Sequence, residues 1–248
     1  MRTVAIIQGR MGSTRLPGKV MKKLCGKSVL EHVIHRVQAC HLLDDIVVAT
    51  TNSPTDDVIV AEAERCAAKW FRGSEEDVLN RYYLAAKQFH AEVVVRVTSD
   101  CPLFDPELLA KMVLFFRSKN SPDNQLDYLS NTLKRTFPLG LDAEVFKFSA
   151  LEYAHFHSNN QYEREHVTPY IYEHSDIFSL HSYEGNEDLT SHRWTLDTED
   201  DFKLINEIYS ELYRENELFL TKRIIALLGA KPELKKINAH IKQKTLGE

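Results

Sequence analysis

Three short apolar runs in the first hundred residues constrain the fold most strongly. They are Thr3 to Ile7, Ile46 to Ala49 and Glu92 to Val97, and the first and last are almost continuously apolar. Runs of this kind are typical of parallel strands that are covered on both faces. Amphipathic helical segments separate them, so strand and helix alternate through residue 118. This order predicts an α/β fold with a mostly parallel, doubly wound sheet.

The helical segments carry the signals with which helices usually begin. Ser28 and Glu31 have the spacing of a capping box, and an apolar stripe follows them. Asp105 directly precedes Pro106, an order typical of an N-cap and the first helical residue. These signals indicate that a helix follows each apolar run, as a doubly wound sheet requires.

The rest of the chain is organised less regularly. The turn-rich stretch 118–125 predicts an internal boundary, and Gly229 predicts the end of a C-terminal helix. Strands that extend the sheet or form a subunit contact are predicted at residues 128–129, 143–148, 177–183 and 192–196. We therefore expect a single domain over residues 1–248 with three parts, namely 1–118, 119–198 and 199–248.

Composition narrows the classes of function. The 248 residues carry a formal net charge of -5 without a block of like charges, which gives nucleic-acid binding no electrostatic support. An apolar run near 20 residues and a charged-then-apolar leader are both missing from the sequence. We therefore expect neither membrane insertion nor secretion, but a cytoplasmic protein. The four cysteines lack the spacing of zinc ligands and are expected to be reduced thiols.

The first apolar run leads into a basic, glycine-rich loop, QGRMGSTRLPGKV, at residues 8–20. Backbone amides and fixed positive charges at a strand-to-helix turn suit a polyphosphate. The loop does not fit the dinucleotide fingerprint. It also narrowly misses a P-loop, because five residues separate Gly12 from Gly18 and Val20 replaces the metal-binding hydroxyl residue. An ordinary glycine-rich turn with solvated basic residues is the alternative.

Two carboxylates follow predicted strands. Asp100 comes directly after the run that ends near Thr98, where open α/β sheets bind their ligands. Asp197 ends another predicted strand and shares a face with Arg193 and Thr195. Mg²⁺ usually takes one or two protein carboxylates together with phosphate oxygens, so the pair predicts a metal and triphosphate site. The alternative for Asp100 is that it caps a turn.

Three further stretches supply polar groups for a ligand. FRGSEEDVLNRY, residues 71–82, places Arg72, Gly73 and Ser74 at a strand-to-helix turn that could meet a base or a ribose. FPLGLDAEVF (137–146) and EREHVTPY (163–170) contain charges that could recognise a polar substrate. None of the three is specific by itself.

Taken together, QGRMGSTRLPGKV, FRGSEEDVLNRYY, RVTSDCPLFDP and LDTEDDF resemble the cytidylyltransferases that make CMP-activated sugars. The similarity is greatest to the spore coat polysaccharide biosynthesis protein F group, and more distant to CMP-KDO and CMP-acylneuraminate synthetases. It extends from residue 3 to about residue 215. The resemblance implies a Rossmann-like three-layer αβα nucleotidyltransferase fold, with a small β extension and commonly dimeric.

The resemblance also implies a role for each group of site residues. The triphosphate of CTP would be held by Arg10, Arg15 and Lys19, and Mg²⁺ by Asp100 and Asp197, with Asp100 also catalytic. Other nucleotide contacts would come from Gly9, Gly12, Ser13, Arg72, Gly73 and Ser74. The sugar would meet Asp142, Glu144, Glu163, His166 and Arg193.

Two residues depart from the family pattern. Gly9 stands where an alanine is usual, and Ser99 where glycine is common before the metal-binding aspartate. Each change adds or removes a small side chain. We therefore expect an effect on loop geometry and none on the chemistry.

These features predict a Mg²⁺-dependent transfer of CMP from CTP to a sugar acid or related sugar, with release of pyrophosphate, for surface polysaccharide biosynthesis. The expected partners are CTP, the sugar acceptor and a second copy of the chain, with the dimer contact in residues 127–148. One alternative is a glycosyltransferase that uses a nucleotide sugar, although its Asp-x-Asp motif is missing, since Cys101 and Pro102 follow Asp100. The other is a nucleotide-sugar-binding protein without catalysis. The identity of the acceptor, and attack by hydroxyl or by phosphate, stay open.

Overall fold

A seven-stranded sheet forms the centre of the computed structural model, which describes residues 1–121 and 124–243. In chain order the strands of these residues are β1 (Thr3–Gln8), β2 (Lys23–Leu24), β3 (Lys27–Ser28), β4 (Asp45–Thr51), β5 (Lys69–Gly73), β6 (Val93–Thr98), β7 (Asn120–Ser121), β8 (Asn124–Gln125), β9 (Tyr128–Ser130), β10 (Glu144–Lys147) and β11 (Leu180–Ser182). The sheet has the order β11-β9-β10-β6-β1-β4-β5, while β2 pairs with β3 and β7 with β8.

The strands of this sheet are parallel except for β10, which is antiparallel to both β6 and β9. The predicted mostly parallel sheet is therefore confirmed. Part of the predicted boundary at residues 118–125 lies outside the described residues, because Pro122 and Asp123 are not described. The division of the chain into 1–118, 119–198 and 199–248 stays a prediction.

Helices cover both faces of the sheet. They are α1 (Val29–Gln38), α2 (Asp57–Arg65), α3 (Val78–Gln88), α4 (Pro106–Ser118), α5 (Phe148–His157), α6 (Gln161–His166), α7 (Pro169–Glu173), α8 (Glu199–Leu212) and α9 (Thr221–Ala230). The described helices are all too short or too polar to span a bilayer. The Ser28 hydroxyl accepts a hydrogen bond from the Glu31 amide at the start of α1, and Asp105 caps α4 in the same way.

Alternation along the strands divides the core into two layers. Ala5 and Ile7 of β1 face an apolar cluster that includes α1, α2, α4, α8 and α9. Val4 and Ile6 face the opposite cluster, formed with α3, α5 and α7. Because successive side chains of a strand point to opposite faces, a strand buried on both sides must be apolar throughout. The expected three-layer αβα architecture is confirmed.

The predicted strand at residues 192–196 is wrong. One bridge, to Leu139, is formed, and the Trp194 amide donates to the Leu139 carbonyl at 2.7 Å. The Leu196 amide donates instead to the Asp100 carbonyl at 2.8 Å. The segment is extended, but it bonds to two different loops and not to one neighbouring strand. Its second bond ties the backbone before Asp197 to the end of β6.

Two other boundaries differ from the prediction. Helix α9 continues through Gly229 to Ala230, so this glycine does not end the helix. A Cβ atom at Gly229 would meet nothing within 4 Å, which shows that no close contact requires glycine there. The strand predicted at 177–183 is shortened to Leu180–Ser182.

Candidate active site

A cleft of about 420 Å³ opens where β1 and β6 end. This edge, at the carboxyl ends of parallel strands, is where open α/β sheets bind ligands. The walls come from the loop after β1, the turn before α3, the end of β6 and helix α6. The residues singled out from the sequence that line the cleft are Gly9, Arg10, Ser13, Arg15, Lys19, Asp100, His166 and Asp197.

The loop after β1 is held by a buried carboxylate. The Met11 amide donates to Asp56 Oδ1 at 2.8 Å, and the hydroxyls of Thr50 and Thr51 donate to Oδ2. Burial would raise the pKa of Asp56, but these hydrogen bonds outweigh it and lower the pKa. The loop closes on itself where the Gly18 amide donates to the Met11 carbonyl, and Gly18 has φ +67, a conformation that favours glycine.

The charges of the cleft converge on Lys19. Its Nζ lies 2.7 Å from Asp100 Oδ2 and 2.8 Å from Asp197 Oδ1. Arg15 Nη2 lies 3.1 Å from the same oxygen of Asp197. Burial would lower the pKa of Lys19, but the two carboxylates raise it to about 12. Burial would raise the pKa of Asp100, yet Lys19 holds it below its ordinary value, so both groups are charged at neutral pH.

Asp197 is positioned by a second ion pair. Arg193 Nη2 lies 3.0 Å from Asp197 Oδ2, and Arg193 Nε lies 2.8 Å from Asp201 Oδ1. Asp201 is fully buried and completes a capping box with Thr198 at the start of α8. Asp197 therefore stands between Lys19 and Arg15 on one side and Arg193 on the other. The capped helix fixes it there.

The two carboxylates fit a divalent cation. Both reach one positive centre, the Lys19 ammonium, at hydrogen-bond distance, so a cation between them would have an oxygen from each. Residues 1–121 and 124–243 contain no group of three or more histidine, cysteine, aspartate or glutamate side chains arranged for a metal. A pair of carboxylates is compatible with Mg²⁺, which usually combines one or two carboxylates with waters and substrate phosphates.

The predicted base-binding turn is present, but its arginine points elsewhere. Arg72 lies outside the lining of the cleft and forms an ion pair with Asp57. At Gly73 an added Cβ would lie 2.9 Å from Cγ of Arg81, so this glycine permits a close approach of α3. The Ser74 hydroxyl accepts from the Asp77 amide, and the Ser74 carbonyl accepts from Arg81 Nη1 at 2.6 Å. Gly73 and Ser74 thus shape the wall of the cleft.

Gly12 of the basic loop also allows a close approach, without lining the cleft. A Cβ at Gly12 would lie 3.3 Å from Oε1 of Glu75, the oxygen that forms an ion pair with Arg10 at 2.9 Å. The loop after β1 and the turn before α3 are therefore linked across the mouth of the cleft.

Two of the predicted sugar-binding residues lie at or beside the cleft. His166 of α6 lines it, and burial lowers the pKa of this histidine, which favours the neutral ring. Glu144 stands opposite Arg96 in the register of β10 with β6 and forms an ion pair with it. The Tyr128 hydroxyl donates to Glu144 Oε2 at 2.9 Å. Through Arg96, which lines the cleft, Glu144 is joined to the site.

The other three lie outside the lining of the cleft. Asp142 forms an ion pair with Arg135, with Nη2 to Oδ2 at 2.8 Å. Glu163 is buried in α6, and its amide donates to the Asn160 side chain. Arg193 contacts Asp197. Their proposed sugar contacts stay predictions.

Sequence reasoning did not single out Arg81 and Arg96, although both line the cleft. A signal for Arg96 was available, because it is the one charged residue in the apolar strand VVVRVT. Arg81 had none, since an arginine on an amphipathic helix is usually solvated. Gln161 and Glu165 of α6 also line the cleft and were not singled out.

The two departures from the family pattern are neighbours. A Cβ at Gly9 would lie 2.6 Å from the Ser99 hydroxyl oxygen and 3.0 Å from Ser99 Cβ. The first distance is shorter than real Cβ contacts and the second is at their lower limit, so a side chain at position 9 would require Ser99 to move. In the present structure the serine fills this space.

One sheet lies between two layers of helices, and a basic loop and two carboxylates lie together at the ends of its strands. This is the arrangement of a nucleotidyltransferase. The chain belongs to the cytidylyltransferase family, whose sequence model matches residues 4–226. This match covers most of the chain. It confirms the resemblance seen in the motifs and the class of enzyme that they implied.

Two relatives match nearly the whole chain. The chain is 40% identical to an uncharacterized protein of Methanocaldococcus jannaschii over 100% of its own length and 99% of that protein. It is 32% identical to the spore coat polysaccharide biosynthesis protein SpsF of Bacillus subtilis, over 92% of this chain and 94% of that one.

Solved structures extend the comparison. A cytidylyltransferase of Leptospira borgpetersenii is 31% identical, with a TM-score of 0.90 over 99% of this chain and 100% of that one. CMP:2-keto-3-deoxy-manno-octonic acid synthetase, solved with CTP, is 14% identical with a TM-score of 0.66, over 86% of this chain and 100% of that one. The second likeness concerns the fold alone, which it confirms as the Rossmann-like nucleotidyltransferase fold.

Proposed function

We propose that this protein transfers CMP from CTP to a sugar acid or a related sugar, with release of pyrophosphate and with Mg²⁺ as cofactor. The observation that carries the proposal is the position of Lys19 at the end of the basic loop. Its ammonium lies within hydrogen-bond distance of both Asp100 and Asp197. This arrangement provides cations for a triphosphate and carboxylates for its metal within one cleft. Family membership supports the choice of cytidine nucleotide.

The triphosphate would be bound by the loop after β1. Arg10, Arg15 and Lys19 bring three positive charges to one wall of the cleft. Arg10 is half-exposed and paired with Glu75, and an exposed pair of this kind contributes only about 0–1 kcal/mol, so Arg10 can exchange Glu75 for a phosphate at low cost. Lys19 would likewise turn from the carboxylates to the phosphates.

Asp100 and Asp197 would hold Mg²⁺, and the bound ion would neutralise charge on the phosphoryl oxygens. Lys19 and the two arginines would stabilise the negative charge that passes to the leaving pyrophosphate. Arg193 would keep Asp197 in place, since it binds the other oxygen of that carboxylate. Most of the rate enhancement would come from this positioning and charge neutralisation.

In the proposed step an acceptor oxygen attacks the α-phosphorus of CTP in line. The new phosphorus–oxygen bond forms as the bond to the β-phosphate oxygen breaks, and pyrophosphate departs with its electron pair. A hydroxyl acceptor would release its proton to solvent, whereas a phosphate acceptor has none to lose. Cys101 is no competing nucleophile, because burial and the neighbouring Asp100 raise its pKa and keep the thiol protonated.

The acceptor would enter from the side of α6, where His166, Gln161 and Glu165 line the cleft. These side chains are suited to hydrogen bonds with a polyhydroxy compound. The class of acceptor is suggested by two relatives, SpsF and the 3-deoxy-manno-octulosonate cytidylyltransferases, one of which is 32% identical over 46% of this chain. A sugar for surface polysaccharide is therefore the proposed acceptor.

Thermal melting with single nucleotides tests the proposal without knowledge of the acceptor. The ligands are CTP, UTP, ATP, GTP, a UDP-sugar and a GDP-sugar, each with and without Mg²⁺. A ligand at about 100 times its Kd adds about 2.7 kcal/mol, which is roughly 5–10 °C for a chain of this size. We expect the largest shift with CTP and Mg²⁺, followed by CTP-dependent pyrophosphate release on screening sugar acids. A larger shift with a nucleotide sugar would favour a glycosyltransferase, and no shift would contradict the proposal.

A further inference from the structure

Arg81 of α3 is a buried cation that the phosphate-binding groups do not explain. Only 2% of the surface of Arg81 is exposed, yet the residue lines the cleft. Nη1 donates to the Ser74 carbonyl at 2.6 Å, whereas Nε is buried and lacks a hydrogen-bond partner among the described residues. Within the same residues, Nη2 has no protein acceptor and the guanidinium forms no ion pair. Burial lowers the pKa of Arg81 in spite of the opposing charges of Asp56 and Glu75.

A structural role accounts for part of this arrangement. The stem of Arg81 packs against Gly73, and Nη1 holds the turn that leads into α3. Neither contact uses the side of the guanidinium formed by Nε and Nη2. A buried charged donor without an acceptor is costly, and a ligand that supplies acceptors recovers that cost. The unpaired edge therefore indicates a ligand group with two adjacent acceptors, matched to two parallel N–H bonds.

The position of Arg81 indicates which part of the nucleotide it would contact. Asp100 follows β6, whereas Arg81 contacts Gly73 at the end of β5, and the order β6-β1-β4-β5 separates these strands by three spacings. At about 4.8 Å each, the strands lie roughly 14 Å apart. The metal and triphosphate would occupy the end of the cleft at Asp100 and Lys19. Arg81 therefore stands in the wall that is left for the nucleoside.

We propose that Arg81 reads the base of the nucleotide, with Nε and Nη2 donating to N3 and O2 of cytosine. This inference rests on the proposed function, because it assigns the base-reading residue of the same site. Cytosine presents N3 and O2 as neighbouring acceptors. Uracil keeps O2 but carries a hydrogen on N3, so the same edge of Arg81 would face a donor. Arg81 thus accounts for a preference for CTP over UTP.

Calorimetric titration of the full-length protein with CTP, UTP and 3-deaza-CTP, all with Mg²⁺, tests this role. The third ligand replaces N3 by a C–H group and leaves O2 and the triphosphate unchanged. A bidentate arginine contact is expected to favour CTP over each of the other two by about 10- to 100-fold in the wild type. In Arg81→Met the three affinities should converge. Arg81→Lys keeps the charge but loses the two parallel N–H donors of the guanidinium, so most of the preference should also be lost.

Lys87→Met is the matched control, because Lys87 is exposed near the other end of the same helix and should leave the preference unchanged. Equal affinity of the wild type for CTP and 3-deaza-CTP would overturn the inference alone, whether or not the Arg81 variants fold. Retention of the CTP preference in a folded Arg81→Met protein would do the same. Failure of the wild type to bind CTP at all would overturn the proposed function and this inference with it.

Discussion

Lys19 is the residue at which the opposing charges of the cleft meet. Its raised pKa of about 12 keeps the ammonium protonated through the neutral range, and the lowered pKa of Asp100 keeps that carboxylate ionised. The contribution of Lys19 to stability is full below its ordinary pKa of 10.5 and is lost as pH rises through about 12. That of Asp100 is present above its ordinary pKa of 3.8 and is lost as pH falls through the lowered value. Lys19 and Asp100 are therefore both ionised at every pH at which the enzyme would work.

Replacement of Asp100 by asparagine tests the metal role at this scale. Asp100→Asn keeps the shape of the side chain and removes its charge, so we expect turnover of CTP to fall by about 10³-fold or more. Pyrophosphate release measures the effect. Asp200→Asn is the control, because Asp200 lies in the first turn of α8 and pairs with Lys203 away from the cleft lining. Near-normal turnover in a folded Asp100→Asn protein would contradict the role.

The sequence was informative about residues at strand ends and uninformative about side-chain direction. The proximity of Lys19, Asp100 and Asp197 could be foreseen, because carboxyl ends of parallel strands meet at one edge of a sheet. Within FRGSEEDVLNRY, however, Arg72 turns to Asp57, whereas Arg81 turns to the cleft. That choice depends on how α3 packs against Gly73, a contact between residues eight positions apart that no local pattern encodes.

Helix α1 shows how an element far from the chemistry supports the loop after β1. His32 is buried, its Nε2 lies 2.8 Å from the Leu24 carbonyl, and its ring packs on Tyr209 of α8 with centroids 4.4 Å apart. The hairpin of β2 and β3 that contains Leu24 directly follows the basic loop. One histidine therefore links that hairpin to two helices.

Burial of His32 makes this junction sensitive to acid. Burial lowers the pKa of His32 from 6.5 to about 4, so below pH 6.5 the unfolded chain binds a proton that the folded chain rejects. Stability should be unaffected above pH 6.5 and fall by about 3 kcal/mol as pH drops towards 4. Urea unfolding at pH 7.5 and pH 4.5 should show this loss in the wild type and a smaller one in His32→Gln. His41→Gln, at an exposed histidine, should follow the wild type, and equal losses in all three would contradict the assignment.

Helices and strands could be predicted where the sequence pattern is compatible with only one structure. The apolar run at Glu92 to Val97 could hardly be placed anywhere but inside a sheet, and it forms β6 with a shift of one residue. Residues 192–196 also alternate, but alternation describes any extended segment with one buried face. Here the segment bonds first to Leu139 and then to Asp100, so long-range partners decided its structure. Such partners are absent from the local sequence.

At the scale of the whole molecule, the order of the strands limits which part of residues 127–148 can form the expected dimer contact. Strands β9 and β10 both lie inside the sheet, with neighbours on each side, so they offer no free edge to a second chain. The accessible part of the segment is the connection between them. It contains Leu133, which is 40% exposed. Leu133 is therefore the large apolar side chain of this connection at which the predicted contact can be tested.

Sedimentation velocity tests the dimer directly. We expect a species of about 57 kDa, twice the chain mass of 28.6 kDa, at micromolar protein. Leu133→Asp should shift the population to the monomer, because it places a charge in an apolar contact. Leu114→Asp, at another exposed leucine on α4, should remain dimeric. A monomeric wild type would contradict the expectation, and a dimer that tolerates both changes would place the contact elsewhere.

The contact between Gly9 and Ser99 has a consequence for the history of the site. A methyl group at position 9 would lie 2.6 Å from the serine oxygen and 3.0 Å from its Cβ, so rotation of the hydroxyl alone would not make room. A change from this pair to alanine and glycine is therefore easier if Ser99 is shortened first and Gly9 is enlarged second. In the opposite order, the loops after β1 and β6 would have to shift at the intermediate stage. Relatives should thus carry either pair, or glycine at both positions, and should avoid the crowded combination.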